Sequence, residues 1–119
     1  MTKLNSGNIP LDLGGRRYEL KATLEAAEKI DDLFGGVIPA IDEVRKMKTT
    51  AIVQLVVIGV GTKSKGGIEK LRQMIYDEGL ATVAPAVVRF LVKILNPNAD
   101  DEDDLDPADV AEGDQAGEG

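Results

Sequence analysis

The longest apolar run of the chain spans residues 49–61, with the sequence TTAIVQLVVIGVG. Within residues 51–60, only Gln54 and Gly59 interrupt the apolar side chains. A segment that is apolar on every side has no face for water, so other elements must surround it. It is also too short to cross a bilayer, which takes about 20 residues. The run therefore predicts the buried centre of a folded domain.

The pattern leaves the local structure of this run open. Most of its apolar residues are Val or Ile, which are β-branched and favour a strand. Thr49 or Thr50 would suit the N-cap of a helix, and Gly59 and Gly61 would suit its end. Periodicity does not separate the two possibilities, so these residues predict either a helix or a strand.

A β-hairpin near the N-terminus is the most distinct local pattern. Apolar and polar residues alternate in NIPLDL and again in RRYELKA, on either side of Gly14-Gly15. Two consecutive glycines suit a two-residue turn with positive φ. Pro10 has no N–H for a ladder, so it marks the first strand as an edge. Because an isolated hairpin is only marginally stable in water, its apolar face is expected to pack on the rest of the domain.

Two amphipathic helices are predicted between the hairpin and the apolar run. Thr23 is the predicted N-cap of the first helix, which covers residues 24–34 and ends at Gly35-Gly36. Pro39 stands at or near the first position of the second helix, where proline is tolerated. The predicted apolar stripe of this second helix consists of Ile38, Ile41 and Val44.

Two more helices are predicted after the run. Residues 61–67, GTKSKGG, are expected to form a mobile loop, and an amphipathic helix then continues to Gly79. The last helix is predicted over roughly residues 82–95, with Pro85 in its first turn, where a missing N–H costs little. The predicted fold is thus mainly α, with an N-terminal β-hairpin followed by about five helices.

Charge is distributed unevenly along the chain. The 119 residues carry 21 acids and 14 bases, and residues 96–119 hold ten of the acids and none of the bases. Low apolar content predicts a disordered acidic tail over residues 99–119. We expect residues 1–7 to be a flexible N-terminus and residues 8–98 to form one domain. The body has a near-neutral balance of 14 bases and 11 acids, which argues against nucleic-acid binding.

Candidate catalytic chemistry is sparse. The chain contains no Cys and no His, which removes thiolate nucleophiles, the usual zinc ligands and the commonest proton-transfer residue. A Walker A motif ending at Lys63-Ser64 would need glycine where Val57 and Thr62 stand. Lys63 and Lys65 remain candidates for contact with an acidic partner. No set of nucleophile, base and orienting group can be assembled, so we predict a protein that is not an enzyme and binds no cofactor or metal.

The N-terminus and the size of the body bear on location and assembly. The sequence MTKLNSGNIP is polar and lacks the pattern of a signal peptide, so we expect a cytoplasmic protein without membrane contact. A body of about 95 residues lies near the small end for independent folding. Self-association into a homo-oligomer is therefore expected to add buried surface.

The order of the hairpin and the first helix resembles the start of the gene-transfer-agent-type phage tail proteins, a family regarded as tail assembly chaperones. In that family, an L-x-G-x-x-Y-x-L hairpin leads at once into a helix of the T-hydrophobic-x-A-hydrophobic-x-x-I-E/D kind. Later in the chain, Ile75 to Gly79 and Phe90-Leu91 are similar to the family pattern, so the resemblance covers about residues 8–95 and favours a helix over residues 50–59. The matching positions of the N-terminal pattern are Leu13, Gly15, Tyr18, Leu20, Thr23, Leu24, Ala27, Ile30 and Asp31.

The resemblance implies a function in virion assembly. It implies a chaperone that binds the tape-measure protein and keeps it soluble in the cytoplasm of the bacterial host of a siphovirus-like phage. Other tail proteins are further implied partners. One alternative is a structural tube or minor tail component retained in the virion. Another is an acidic nucleic-acid mimic, which would need its acids on a folded surface. The candidate partner-binding residues are Ile38, Ile41, Val87 and Leu91.

Overall fold

A computed structural model describes residues 8–98. Over these residues the chain forms an antiparallel hairpin followed by five helices, which confirms the predicted fold class. The predictions for residues 1–7 and 99–119 lie outside the described residues. The elements in chain order are β1 (Asn8–Leu13), β2 (Arg16–Lys21), α1 (Leu24–Phe34), α2 (Val37–Arg45), α3 (Thr49–Val60), α4 (Lys65–Glu78) and α5 (Leu80–Leu95).

The hairpin turns at Gly14 and Gly15, as predicted. Both glycines have positive φ, 58° and 80°, which matches a two-residue turn of type I′. In the register, Ile9 faces Leu20. The turn is also tied to α4, because the Gly14 N–H donates a hydrogen bond of 3.1 Å to Oε1 of Glu78.

Helix α1 has the predicted bounds because both of its ends are capped. The Thr23 hydroxyl oxygen accepts a 3.1 Å hydrogen bond from the Ala26 N–H. At the other end, Gly35 adopts a left-handed conformation and its N–H donates to the Asp31 carbonyl at 2.9 Å. These contacts satisfy backbone groups that a helix leaves without partners at its termini.

The central apolar run is the helix α3, which resolves the choice that the pattern left open. Five other elements, β2, α1, α2, α4 and α5, pack against it. This enclosure lets β-branched residues lie in a helix, because tertiary burial outweighs the modest strand preference. The predicted N-cap at Thr49 or Thr50 is wrong, since Lys48 occupies that position, and its side chain makes no capping hydrogen bond. Gly61 ends the helix, whereas Gly59 lies inside it.

Two predicted boundaries need correction. Residues 61–67 are not all loop, because the Ser64 hydroxyl oxygen accepts a 3.0 Å hydrogen bond from the Gly67 N–H and starts α4 at Lys65. Helix α5 begins at Leu80 rather than near Thr82, which places Pro85 beyond the first turn. Pro85 is exposed, so water can reach the carbonyl that loses its helical partner there.

The core is centred on α3 and α5. Helix α5 contacts α2, α3, α4 and both strands, and residues on several of its sides are buried. Its buried set includes Lys93, which is only 2% exposed and which the sequence pattern did not single out. Within residues 8–98, no helix is both long enough and apolar enough to cross a membrane.

Candidate functional surfaces

A groove lies where the end of α1 meets the start of α2 and the start of α3. Its volume is about 320 Å³. Its apolar lining consists of Leu33, Phe34, Pro39 and Ala51, and its polar lining of Glu43, Lys48, Thr50 and Gln54. We call this surface the α1–α2 groove. An open groove with an apolar part and a polar part suits a partner that has one apolar face.

Large aliphatic side chains are exposed at this corner of the fold. Leu33 is 56% exposed and lines the groove, and Ile38 is 48% exposed next to Pro39 in the chain. The corner is sharp because Gly35 and Gly36 both have positive φ, 83° and 132°, between the two helices. Glycine adopts such backbone angles without a steric penalty. The glycine pair thus turns the chain so tightly that Leu33 and Ile38 remain outside the core.

The polar end of the groove is organised by an ion pair. Lys48 Nζ lies 2.8 Å from Oε1 of Glu43, and Lys46 Nζ lies 3.8 Å from its other carboxylate oxygen. The hydrogen bond from Lys48 lowers the pKa of Glu43, and the same contact raises the pKa of Lys48. Both side chains therefore stay charged across the physiological pH range.

The four predicted partner-binding residues do not share a surface. Ile38 alone is exposed, whereas Ile41, Val87 and Leu91 are buried in the core. These three lie in the core, where α2 and α5 pack against each other, and a role for them in partner binding stays a prediction. The buried stripe of α2 differs from the predicted one. It consists of Ala40, Ile41 and Val44, whereas Ile38 is not buried.

Sequence reasoning missed Leu33 as a surface residue. Leu33 and Phe34 follow Ile30 by three and four residues, and either spacing suits the buried face of a helix. The structure buries Ile30, partly buries Phe34 and exposes Leu33. The glycine pair that follows was the available signal, because a helix end at a tight corner leaves part of its last turn uncovered.

A second pocket, of about 250 Å³, lies between the end of β2, the start of α1 and the end of α3. Three lysines, Lys21, Lys29 and Lys63, line it together with Glu25. We call this surface the lysine pocket. Its apolar lining includes Ala26, Ile58 and Val60. Of the two lysines that the sequence suggested for an acidic partner, Lys63 lines the pocket, and Lys65 is exposed in the first turn of α4.

The charges of the lysine pocket are only partly compensated. Lys29 Nζ lies 3.7 Å from Oε2 of Glu25, one turn away on α1. In the described part of the chain, neither Lys21 nor Lys63 has an acidic side chain within ion-pair distance. With three lysines and one glutamate, the lining has a formal charge of +2. This pocket therefore offers positive charge beside apolar surface.

The acidic side chains of residues 8–98 form no cluster that could bind a metal ion. Between residues 8 and 98, no group of three or more His, Cys, Asp or Glu side chains is placed to hold a metal ion. The adjacent residues Asp42 and Glu43 both approach Lys46 rather than a common ligand position. These carboxylates thus behave as parts of a solvated helix face.

Comparison with known proteins gives no indication of function, so the function has to be inferred from the structure of this chain. No family model matches the chain, and no curated protein or solved structure matches it either. Inference about function therefore starts from the α1–α2 groove and the lysine pocket.

Proposed function

We propose that this protein is a phage tail assembly chaperone that is not an enzyme and that binds an amphipathic helix of the tape-measure protein in the α1–α2 groove. The observation that carries the proposal is the exposed aliphatic side chain of Leu33 in the lining of the groove, with the exposed Ile38 next to the lining residue Pro39 in the chain. Binding would cover these side chains, and it would cover the apolar stripe of the tape-measure helix at the same time.

The shape and polarity of the groove favour a helical partner. A helix that carries apolar residues at i, i+3 or i+4 and i+7 presents one narrow stripe, which fits a groove between helix ends. Glu43 and Lys48 at the polar end can contact polar groups that flank such a stripe. Covering a half-exposed aliphatic side chain contributes roughly 1 kcal/mol. Many weak sites of this kind along a long tape-measure protein would keep it soluble and still allow release.

The family resemblance supports the same proposal through its element order. Several residues of its pattern have structural roles in the hairpin and in α1: Gly15 forms the turn, Thr23 caps α1, and Leu20 and Ile30 are buried. The apolar run is helical, as the resemblance favoured, and it precedes a short loop and two further helices. We propose the cytoplasm of the bacterial host as the place of action, and other tail proteins and further copies of the chain as additional partners.

Co-expression with the tape-measure protein of the same phage tests the proposal. We expect the tape-measure protein to aggregate alone and to form a soluble complex with the wild-type chain. The double variant Leu33→Gln/Ile38→Gln should weaken the complex roughly tenfold or more, because two apolar contacts are lost. Moderate salt should change the affinity little, since the contact is mainly apolar.

Leu24→Gln is the matched control. Leu24 is 74% exposed on the same helix as Leu33 but lies at its opposite end. Gln is a good helix former, so none of these variants should disturb the fold. If Leu24→Gln weakens the complex as much as the double variant does, or if the tape-measure protein is soluble alone, the proposal is wrong.

Proteomics of purified particles separates the chaperone from a structural tail protein. A chaperone gives way to the tube protein and should be absent from finished virions. Stoichiometric amounts of this chain in the particle would favour the alternative of a tube or minor tail component.

A further inference from the structure

The lysine pocket has the charge and the lining of a site for an acidic segment. Lys21, Lys29 and Lys63 come from β2, from α1 and from the loop after α3, so the fold brings together three positive charges from three different elements of the chain. The pocket also includes Thr23 and Glu25 at the N-terminal end of α1, where the helix dipole adds partial positive charge. Apolar lining from Ala26, Ile58 and Val60 would favour an acidic segment that also carries aliphatic side chains.

The same chain contains a segment of this chemistry. Residues 99–119 carry ten acids and no base, and their two large aliphatic side chains are Leu105 and Val110. These 21 residues begin three residues after the end of α5 and span up to about 70 Å when extended. The largest dimension of the described residues is 45 Å, so the distal part of the segment is long enough to reach the pocket.

We infer that the lysine pocket is the docking site of this chain's own acidic segment, residues 99–119. Carboxylates of this segment would lie against Lys21, Lys29 and Lys63. Leu105 or Val110 would cover the apolar lining. The segment thereby neutralises the positive charge of the pocket.

Tethering explains why the chain's own segment is favoured over a free acidic peptide. A segment joined to the domain by a short linker has an effective concentration in the millimolar range. Single surface ion pairs contribute only about 0–1 kcal/mol, so several must act together and tethering must add to them. Docking of this kind is weak and reversible, and salt screens it.

Paramagnetic NMR on the full-length chain tests the inference. The sequence has no cysteine, so Ala108→Cys provides a single attachment point for a nitroxide. At low salt, the amide signals of Lys21, Gly61 and Lys63 should lose most of their intensity relative to the reduced, diamagnetic sample. The loss should disappear at about 0.5 M salt, where the Debye length is a few ångströms.

Two sets of charge variants in the labelled chain supply the comparison. Lys21→Gln/Lys29→Gln/Lys63→Gln should restore the pocket signals at low salt. Lys46→Gln/Lys48→Gln/Lys70→Gln removes the same charge from exposed positions that do not line this pocket, and it should leave the intensity loss in place. Unchanged positions of most other amide signals will show that both variants are folded.

Three results would overturn the inference. The first is the absence of any selective loss at the pocket. The second is a loss that both triple variants relieve equally, which would mean general attraction to a positive surface. The third is an intermolecular loss. It would be seen if isotope-labelled chains without the nitroxide, mixed with unlabelled chains that carry the nitroxide, lost the same pocket signals. None of these measurements involves the tape-measure protein, so the inference stands or falls separately from the proposed function.

Discussion

Leu20 of the hairpin packs directly against Gly59 of α3. A Cβ atom placed on Gly59 would lie 2.9 Å from both Cβ and Cδ2 of Leu20 and 3.2 Å from its Cα. Leu20 is fully buried at this contact. Glycine inside a helix costs about 0.5–1 kcal/mol relative to alanine. Here the missing side chain lets β2 approach the central helix, which gives the hairpin a place to pack.

We predict that Gly59→Ala destabilises the protein. The gain in helix propensity is smaller than the cost of the clash between the new Cβ atom and Leu20. This clash is costly because the Leu20 Cα, a backbone atom, would have to move as well as its side chain. Overpacking of this kind costs about 1–3 kcal/mol. Urea unfolding followed by circular dichroism measures the change.

Gly66→Ala is the control for this prediction. Gly66 lies in the first turn of α4, and a Cβ atom placed there would meet no other atom within 4 Å. This variant should be neutral or slightly more stable than wild type. A Gly59→Ala protein that is as stable as Gly66→Ala would show that the hairpin does not depend on this close approach.

Gly15→Val should destabilise the hairpin turn by about 1–2 kcal/mol. Gly15 has a φ of 80°, and no atom would contact an added Cβ, so the penalty is backbone strain alone. Gly15→Asn should cost less, since asparagine tolerates the left-handed region. Thermal unfolding of both variants provides the measurement. Equal stability of Gly15→Val and wild type would contradict the assigned turn.

Deletion of residues 99–119 should leave the domain folded. The buried hydrophobic residues that form the core lie between Ile9 and Val92, so the deletion removes none of them. The melting temperature should change by no more than a few degrees, as expected for loss of surface ion pairs alone. A larger decrease would mean that the acidic segment belongs to the folded domain.

The pKa of Glu43 should be below its ordinary value and should rise in Lys48→Gln. The hydrogen bond from Lys48 is the main cause of the lowered pKa. Because the folded-state pKa is lower than the unfolded one, the pair stabilises the fold above the unfolded pKa, and this contribution is lost as the pH falls through the folded pKa. NMR titration of the Glu43 side-chain carboxyl carbon measures the shift.

Lys70→Gln is the control for the titration. Lys70 is exposed on α4, and it is not among the groups that shift the pKa of Glu43. Its replacement should leave the titration of Glu43 unchanged. A Glu43 pKa that responds equally to both lysine variants would indicate a general charge effect instead of a specific hydrogen bond.

Local sequence determined the parts of this fold that depend on neighbouring residues. The glycine pair at 14–15 specifies a two-residue turn because two successive positive φ angles suit glycine. Thr23 and Gly35 define both ends of α1 through bonds that reach only three or four residues. Such signals lie within a short stretch of chain, so the hairpin turn and the bounds of the first helix were predicted as observed.

Tertiary structure decided the features that depend on what surrounds a segment. The run in α3 is apolar on all sides, so its own pattern carried no preference between helix and strand, and enclosure by five elements made the helix stable. Packing between α2 and α5 buried Ile41, Val87 and Leu91, and the glycine corner left Leu33 exposed. Helical periodicity identifies an apolar face but not whether another element covers it.

The lysine pocket shows that the sequence pattern also does not reveal which charged side chains come together in the fold. The sequence marked Lys63 as a candidate for an acidic partner, but its neighbours in the pocket, Lys21 and Lys29, are distant in the chain. They meet because β2 packs on α3 through the contact between Leu20 and Gly59. Electrostatic sites depend on distances in space, and the fold alone sets those distances.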